Sequence, residues 1–359
     1  MEFNKDQYFQ RQMALSEIGK EGQALLQKAK VLVIGCGGLG SPIAIYLATS
    51  GIGELHLVDF DTVTVSNLHR QVFFSVEDVQ RPKVEVLANE IKKRAPFTKV
   101  SYTNNAVDKN SIIALVSKFD VVVDGTDSLP VKYLINDACV LTKKPLVYGS
   151  LYKFDGYVST FNIPNGGGDY TCNLRDAFPE IATNIPNCEE AGTLNPIVGI
   201  IALLQVNEVI KFITGTGKLL INQLLIYNAL ENSQLKIKLK KNKALIIRDI
   251  FKHTQYIDTD CTVQDSSLLI SNSELKKRLA DKKMEIVSIL NNGDTPIPFE
   301  VDQKIPYNRF NVENFVPDFK KYYVIVCNKG ITSYTVTLKL KEKYPLLSVF
   351  SLFEGVEKY

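Results

Sequence analysis

Histidine and cysteine are scarce in this chain of 359 residues, which has three histidines and six cysteines. Six cysteines over this length are too few for the dense disulfide framework of a small secreted protein. The histidines, His56, His69 and His253, leave little material for histidine-centred catalysis or a histidine-rich metal site. The chemistry of the protein is therefore expected to rest mainly on other residue types.

The chain also lacks a strong charge of one sign and an uninterrupted apolar run. Lysine and arginine number 42 against 39 aspartates and glutamates, a balance that carries no footprint of nucleic-acid binding. The N-terminal segment MEFNKDQYFQRQ is polar and has no apolar region of a secretory signal. Polar residues, among them Gln205 and Glu208, interrupt the longest apolar stretch, which indicates a core helix and not a membrane span. We expect a cytoplasmic protein that binds neither nucleic acid nor membrane.

Short β-branched runs alternate with helical patterns in the first two thirds of the chain, as is typical of a mostly parallel sheet with crossover helices. The runs predict strands over 31–34, 54–58, 100–102, 121–124, 146–148, 157–161, 224–227 and 235–239. The patterns between them predict helices over 41–50, 82–94, 111–117, 132–141 and 196–214. A long crossover loop is predicted after residue 161. The sequence thus predicts a Rossmann-like α/β domain over residues 1–243.

A second, smaller α/β domain is predicted over residues 267–359, after a linker at 244–266 in which no regular element is predicted. Its strands are expected over 268–270, 285–289, 323–326 and 348–351, and its helices over 273–280 and 333–343.

A glycine-rich turn is the strongest local motif, and it lies between a predicted strand and a predicted helix. Gly35, Gly37 and Gly40 match G-x-G-x-x-G, and Gly38 lies within the same turn. Such glycines allow a tight turn and let phosphates approach backbone amides at a helix N-terminus. Asp59 follows the next strand, where a carboxylate can accept hydrogen bonds from ribose hydroxyls. These features predict a nucleotide site and fit a dinucleotide as well as ATP.

The charged residues that follow favour a triphosphate over a dinucleotide. A pyrophosphate leaving group needs cations directed at it as the bond breaks, and Arg70 and Lys83 are candidates for that role. Asp127 follows the strand VVVD, at the carboxyl edge of the sheet where ligands bind in such folds. A carboxylate there, together with phosphate oxygens, suits Mg²⁺.

The segments GCGGLG, DFD, SNLHRQ, RPKVE and GTDS occur in this order, and over about residues 8–241 the chain resembles the MoeB/ThiF/HesA adenylyltransferases of the ubiquitin-activating-enzyme-like superfamily. This resemblance implies a homodimer that uses ATP and Mg²⁺ to adenylylate the C-terminal glycine of a small ubiquitin-like sulfur carrier ending in Gly-Gly. Pyrophosphate is released, and the carrier then serves molybdopterin or thiamine biosynthesis. The nucleophile is already a carboxylate, so no general base is needed.

The resemblance also implies roles for individual residues. Arg11 would reach the partner subunit's nucleotide site, Asp59 would bind the ribose, and Asp127 would hold Mg²⁺. The remaining members of the expected nucleotide site are the glycines and the polar residues near the phosphates: Gly35, Gly37, Gly38, Gly40, Asp61, Asn67, Arg70, Gln71 and Lys83.

Two cysteines in the first domain lie where members of the family that this chain resembles have functional or metal-binding cysteines. Cys188 lies on the crossover loop, where relatives carry a cysteine that takes part in acyl-disulfide, thioester or persulfide chemistry, and a loop thiol without a role is the alternative. Many relatives bind structural zinc through two C-x-x-C pairs, but here Cys172 is followed at the third position by Arg175, and no second pair is present. A tetrahedral zinc site needs four N or S ligands, so we predict no structural zinc.

Cys327 follows a predicted strand in the second domain and precedes a helix, an environment that lowers the pKa of a thiol. The loop CNKGITS and the final segment resemble the active loop and last strand of rhodanese-like domains, which carry persulfide sulfur. Asn328 and Thr332 depart from that pattern, so a degenerate domain is the alternative to a persulfide carrier. A cysteine desulfurase would be a suitable sulfur donor.

Two other functions fit the first domain less well. An NAD-dependent oxidoreductase would leave Arg70, Lys83 and Asp127 without a purpose. A catalytically inactive nucleotide-binding scaffold would not need Arg11, Asp59 and the phosphate-binding residues together.

Overall fold

The computed structural model describes residues 4–181, 192–254, 256, 265–290, 296–328, 330–356 and 359. The chain divides into two compact units, Met1–Tyr256 and Ile257–Tyr359. The predicted linker therefore contributes residues 244–256 to the first unit. It also contains a helix, Ile247–His253, which was not predicted.

The first unit is built on an eight-stranded sheet in the order β3-β2-β1-β4-β5-β6-β7-β8. The strands are β1 Lys30–Ile34, β2 Glu54–Val58, β3 Lys99–Thr103, β4 Val121–Asp124, β5 Leu146–Tyr152, β6 Asp155–Phe161, β7 Gln223–Asn228 and β8 Ser233–Lys238. The first five strands in this order, from β3 at the edge to β5, pair in parallel. The pairings of β5 with β6, β6 with β7 and β7 with β8 are antiparallel. The mostly parallel α/β fold expected from the sequence is confirmed.

Helices cover both faces of this sheet, which explains why its central strands are apolar throughout. In chain order they are α1 Lys5–Met13, α2 Gly19–Lys28, α3 Gly40–Thr49, α4 Lys83–Arg94, α5 Ile112–Val116, α6 Leu129–Thr142, α7 Leu174–Ala177, α8 Asn195–Thr214 and α9 Ile247–His253. One core cluster includes α3, α4 and α8, and a second includes α5 and α6 on the other face. All four residues of β4 are buried between the two layers.

Helix α8 is long and apolar enough to cross a membrane by length and composition, with a mean hydropathy of 1.8. Its residues Ile197, Val198, Ile201 and Ala202 nevertheless pack in the first core cluster. Its buried Glu208 accepts hydrogen bonds from the Thr160 hydroxyl (2.5 Å) and from a backbone amide. The packing agrees with the prediction of a core helix.

The order of the strands places a topological switch point between β1 and β4. From β1 the chain first moves outward to β2 and β3, and then returns to the other side of β1 to form β4. The loops after β1 and β4 consequently diverge at the carboxyl edge of the sheet and leave a crevice. Ligands of open α/β sheets bind in such a crevice.

The second unit contains a five-stranded sheet in the order β11-β10-β12-β13-β9, with all its pairings parallel. Its elements are β9 Leu269–Ile270, α10 Asn272–Arg278, β10 Met284–Ser288, β11 Gln303–Lys304, β12 Tyr322–Val326, α11 Ile331–Lys343 and β13 Val349–Leu352. Two apolar clusters cover the sheet. Apart from the short strand β11, its strands and helices were predicted within a few residues.

Replacing Ile43 by alanine is expected to destabilise the first unit by about 2–5 kcal/mol, because the removed side chain leaves a cavity in a close-packed core. Ile43 lies on α3 and is fully buried. Tyr46→Ala, on the same helix at a position that is 46% exposed, is the matched control and should cost much less. Urea unfolding followed by circular dichroism measures both, and equal losses of stability would contradict this packing.

Candidate functional site

The glycine turn follows β1 and is held by backbone packing that excludes larger residues. Gly35 has a φ of +87°, in the left-handed region, and a Cβ atom there would lie 2.6 Å from the carbonyl carbon of Gly125. A Cβ at Gly40 would lie 1.7 Å from the oxygen of Gly35. Glycine is therefore required at both positions, and the loop after β4 forms one wall of the turn.

The turn ends at the N-terminus of α3, so the positive end of this helix lies beside the turn. The N-cap residue is Leu39, whose apolar side chain cannot cap the first amide groups of the helix. The amide of Ser41 donates to the backbone oxygen of Gly37 (3.0 Å), and Pro42 has no amide hydrogen. The positive end of the helix dipole is therefore the feature of α3 that favours phosphate binding.

Asp59 lies directly after β2 and connects two loops at the edge of the crevice. Its carboxylate accepts hydrogen bonds from the backbone amides of Cys36 (2.6 Å) and Asp61 (2.8 Å). Burial raises the pKa of Asp59, and the nearby Lys83 ammonium and these two amides counteract part of that rise. The sequence placed Asp59 beside the ribose, and the structure places it against the glycine turn.

Lys83 is the buried cation of the site. It is 4% exposed, it begins α4, and its Nζ donates to the Asp61 carboxylate at 2.7 Å. Burial lowers the pKa of this ammonium, but the charges of Asp59, Asp61 and Asp127 outweigh burial and raise it. Lys83 therefore remains cationic at neutral pH. Asp61, expected to contact the nucleotide, is in this structure the partner that orients Lys83.

The segment SNLHRQ folds across the glycine turn. A Cβ at Gly38 would lie 3.7 Å from the backbone oxygen of Arg70, and one at Gly37 would lie 3.3 Å from Nε2 of Gln71. Gln71 is buried, and its Oε1 has no hydrogen-bond partner among the described residues. The Arg70 guanidinium donates to the backbone oxygen of Ser66 (3.3 Å), and Asn67 donates to the Thr64 hydroxyl. An orphaned polar atom beside a glycine cradle fits a site built for a polar ligand.

Asp127 is exposed and follows β4 on the opposite wall of the crevice. Its negative charge contributes, after those of Asp59 and Asp61, to raising the pKa of Lys83. Ser128, the next residue, caps α6 by accepting from the amide of Val131 (3.3 Å).

The structure does not place Arg11 at the glycine turn of its own chain. Arg11 is exposed in the last turn of α1, and the neighbouring Gln12 donates to the backbone oxygen of Ser50 (2.9 Å), at the C-terminal end of α3. The glycine turn lies at the other end of that helix, which is about 15 Å long for its ten residues. Cys188 lies outside the described residues.

Several buried charged residues near the crevice were not predicted to matter. Asp124, at the end of β4, forms an ion pair with Lys132 of α6, and both side chains are at most 2% exposed. Gln205 of α8 donates to the backbone oxygen of Asp124 (2.8 Å). A lysine within an apolar helical pattern was the available sequence signal, because a lysine on a buried helix face needs a partner.

The residues around Cys172 do not fit structural zinc. Arg175 is 4% exposed, and its guanidinium donates from Nε and Nη2 to the fully buried carboxylate of Asp137 at 2.8 Å. The Tyr256 hydroxyl donates to the same carboxylate. A buried cation thus stands where a second thiolate would be required, and the described residues contain no group of three or more histidine, cysteine or acidic side chains placed to hold a metal.

The segment that follows β8 contacts residues on both sides of Cys172 through hydrogen bonds. Lys241 donates to Asp169 (2.6 Å) and to the backbone oxygen of Tyr170 (2.5 Å), and the amide of Asn242 donates to Asp176 (2.7 Å). These bonds join the two stretches of chain.

In the second unit, Cys327 follows β12 in a tight loop and is 6% exposed. Its sulfur accepts from the amide of Ser333 (3.3 Å) and lies 3.2 Å from the Ser333 hydroxyl. Gly330 has a φ of +81° and precedes α11. The thiol is therefore held in a polar cradle at a helix N-terminus, as the sequence indicated. Cys36 and Cys139 are buried, and burial raises the pKa of both thiols, in agreement with packing roles. Cys261 lies outside the described residues.

Residues 9–245 match the ThiF family profile. The chain is 39% identical over 236 residues to "Sulfur carrier protein adenylyltransferase" from Thermus thermophilus, a match that covers 65% of this chain and 87% of that protein. It is 35% identical over 320 residues to "Adenylyltransferase and sulfurtransferase MOCS3" from Dictyostelium discoideum, which covers 87% of this chain and 74% of the relative.

Among solved structures, Escherichia coli MccB with ATP is similar, with a TM-score of 0.56 and 26% identity over 63% of this chain and 69% of that chain. Another MccB structure, with the peptide MccA-N7isoASN, has a TM-score of 0.60 and 24% identity, over 68% of this chain and 75% of that chain, and shows the fold alone.

Elemental analysis of the purified protein is expected to find no stoichiometric zinc, since Arg175 and Asp137 occupy the place of a metal cross-link with their ion pair. Incubation with EDTA should leave the melting temperature unchanged. One zinc per chain, or a lower melting temperature after chelation, would contradict the interpretation.

Proposed function

Because the chain belongs to the ThiF family, we propose that it adenylylates the C-terminal carboxylate of a ubiquitin-like sulfur-carrier protein ending in Gly-Gly, with ATP as the second substrate. The observation that carries this proposal is the meeting of a glycine cradle, the N-terminus of α3 and the buried cation Lys83 at the switch point of the sheet. The carrier would supply molybdopterin or thiamine biosynthesis, the pathways that the resemblance implies.

The proposed reaction joins a carboxylate oxygen of the carrier to the α-phosphorus of ATP and breaks the bond to pyrophosphate. The products are an acyl-adenylate and pyrophosphate, and no proton has to be removed from the nucleophile. Lys83 and Arg70 would stabilise the negative charge that develops on the leaving group, so catalysis rests on positioning and electrostatics. Asp59 would hold the ribose beside the glycine turn.

Asp127 would hold Mg²⁺ together with phosphate oxygens, a donor set that this ion prefers. The ion would supply positive charge to the phosphates. One exposed carboxylate at the carboxyl edge of the sheet fits this role, since Mg²⁺ often uses one or two carboxylates in addition to the substrate.

A homodimer would give Arg11 a function. Arg11 precedes Gln12, which contacts the C-terminal end of α3, the end away from the glycine turn, and this position supports a role at the nucleotide site of another subunit. We propose this arrangement from the resemblance and from that position.

A second activity, sulfur transfer, is favoured by the cradle around Cys327. In the proposed step the thiolate attacks the terminal sulfur of a donor such as thiosulfate, the S–S bond breaks, sulfite leaves, and a cysteine persulfide forms. The Ser333 amide and the N-terminus of α11 would stabilise the added negative charge. A cysteine desulfurase would be the proposed donor in the cell.

Replacing Lys83 by methionine should reduce carrier-dependent ATP–pyrophosphate exchange about 100-fold or more, because the leaving group loses its buried cation. Exchange is measured with Mg²⁺ and small carriers ending in Gly-Gly. Lys92→Met, at an exposed position of the same helix, is the matched control and should retain activity.

The wild-type result decides between the proposed functions. Exchange that depends on one carrier and its last glycine supports adenylylation and identifies the pathway. ATP binding without exchange for any carrier would indicate a scaffold. Binding of NAD instead of ATP would indicate an oxidoreductase.

Replacing Cys327 by serine should abolish the formation of thiocyanate from thiosulfate and cyanide, since the sulfur acceptor is lost. Pyrophosphate exchange should be unchanged in this variant. Cys261→Ser, in the predicted linker, is the control that also removes a thiol. Equal thiocyanate formation in wild type and Cys327→Ser would show that the second unit does not carry sulfur on this residue.

A further inference from the structure

A buried ion pair lies directly beneath the loop that carries Asp127. Nζ of Lys132 is 3.0 Å from Oδ2 of Asp124 and donates to the backbone oxygen of Gly149 at 2.6 Å. The side chains of Asp124 and Lys132 are 0% and 2% exposed. The position of the Asp124 carboxylate is therefore fixed from the side of α6 and β5.

The other carboxylate oxygen of Asp124 fixes the loop. Oδ1 accepts from the amide of Thr126 (3.0 Å) and from its hydroxyl (2.7 Å). The amide of Gly125 donates to the oxygen of Ile34 (2.8 Å), the last residue of β1. The loop after β4 is thus tied to the carboxylate and also to the strand that leads into the glycine turn.

Asp127 is the single residue between two anchored neighbours. Thr126 is held by Asp124, and Ser128 is the N-cap of α6, the helix that also carries Lys132. Because the backbone is anchored on both sides, the direction of the Asp127 carboxylate depends on the network below it.

An apolar pair could fill the same volume without the cost of removing two charges from water, and buried ion pairs are often no better for stability than apolar replacements. An apolar side chain at position 124 could not accept the two donors of Thr126. The ion pair is therefore better explained by what it orients than by the stability it provides.

We propose that Asp124, Lys132 and Thr126 are positioning residues that direct Asp127 at the Mg²⁺ of bound Mg–ATP. This inference rests on the proposed function for the identity of the nucleotide. None of the three residues is assigned a contact with substrate, and they act through Asp127.

The test compares Thr126→Val with Thr126→Ser, because only the serine variant keeps the hydroxyl that donates to Asp124. ATP affinity is measured by calorimetry with Mg²⁺ and with EDTA. In Thr126→Val, the gain in affinity caused by Mg²⁺ should fall about tenfold, equivalent to about 1.4 kcal/mol. The affinity in EDTA should change less than about twofold, and Thr126→Ser should behave as wild type.

Hydrogen exchange supplies a readout that needs no turnover. The amides of residues 125–127 should exchange faster in Thr126→Val than in Thr126→Ser, while β1 and α3 keep their protection. A Thr126→Val protein with wild-type Mg²⁺ dependence and exchange would overturn the proposal. Equal losses of affinity with Mg²⁺ and with EDTA would also overturn it, since they would show a general collapse of the crevice.

The double variant Asp124→Asn/Lys132→Met tests the ion pair without leaving an unpaired buried charge. Asparagine can still accept from Thr126, but no ammonium fixes its position, so part of the Mg²⁺ effect should be lost. Unchanged Mg²⁺ dependence would remove Lys132 from the proposal. These binding experiments remain decisive if no carrier supports pyrophosphate exchange, so failure of the adenylylation proposal is recognised separately.

Discussion

The backbones of Gly35, Gly40 and Gly125 approach one another so closely that none of the three positions has space for a side chain. This contact joins the end of β1, the start of α3 and the loop after β4 at the switch point. The charged residues of the candidate nucleotide site are arranged around this contact. Asp59 and Lys83 face it from β2 and α4, and Asp127 from the opposite wall. The absence of side chains at these positions lets a ligand approach the backbone of the turn closely.

Charged side chains in this unit orient other groups. Asp61 directs Lys83, and Asp124 directs Thr126, in each case with a hydrogen bond of 2.7 Å. Asp137 accepts from Arg175 and Tyr256 and so connects α6, α7 and the last part of the first unit. The carboxylates of Asp61, Asp124 and Asp137 thus each fix the position of a neighbouring segment. The connections of Asp61 with Lys83 and of Asp137 with Arg175 link residues that are far apart in the chain.

Much of the parallel core could be predicted from the sequence because its elements are strongly patterned. The apolar strands β1, β2 and β4 and the glycine turn follow local rules of periodicity and turn chemistry. Helices α1 and α2 were missed, and their residues are mostly polar and exposed. Helix α9 was missed within a predicted linker, although its Ile247 is buried.

The misses at the site have a different physical cause. Arg70, Lys83, Asp59 and Asp127 belong to a recognisable series of motifs, so the sequence could assign them to one crevice. The partners of Asp124 and Asp137 could not be found in this way, because pairings such as Asp137 with Arg175 depend on how helices and loops pack. Arg175 illustrates the difficulty. The sequence shows only that a cysteine is missing, whereas the structure shows which interaction takes its place.

The strand order also has a consequence for the order in which the chain is synthesised. Strand β1 emerges early, but its neighbour β4 begins at Val121, about ninety residues later. Until that strand has left the ribosome, the glycine turn has only one wall. The antiparallel strands β5 and β6, by contrast, are joined by a hairpin and pair with their nearest neighbour in the sequence. During synthesis, the nucleotide cradle can therefore be completed only after β4 has been made, long after the glycine turn itself.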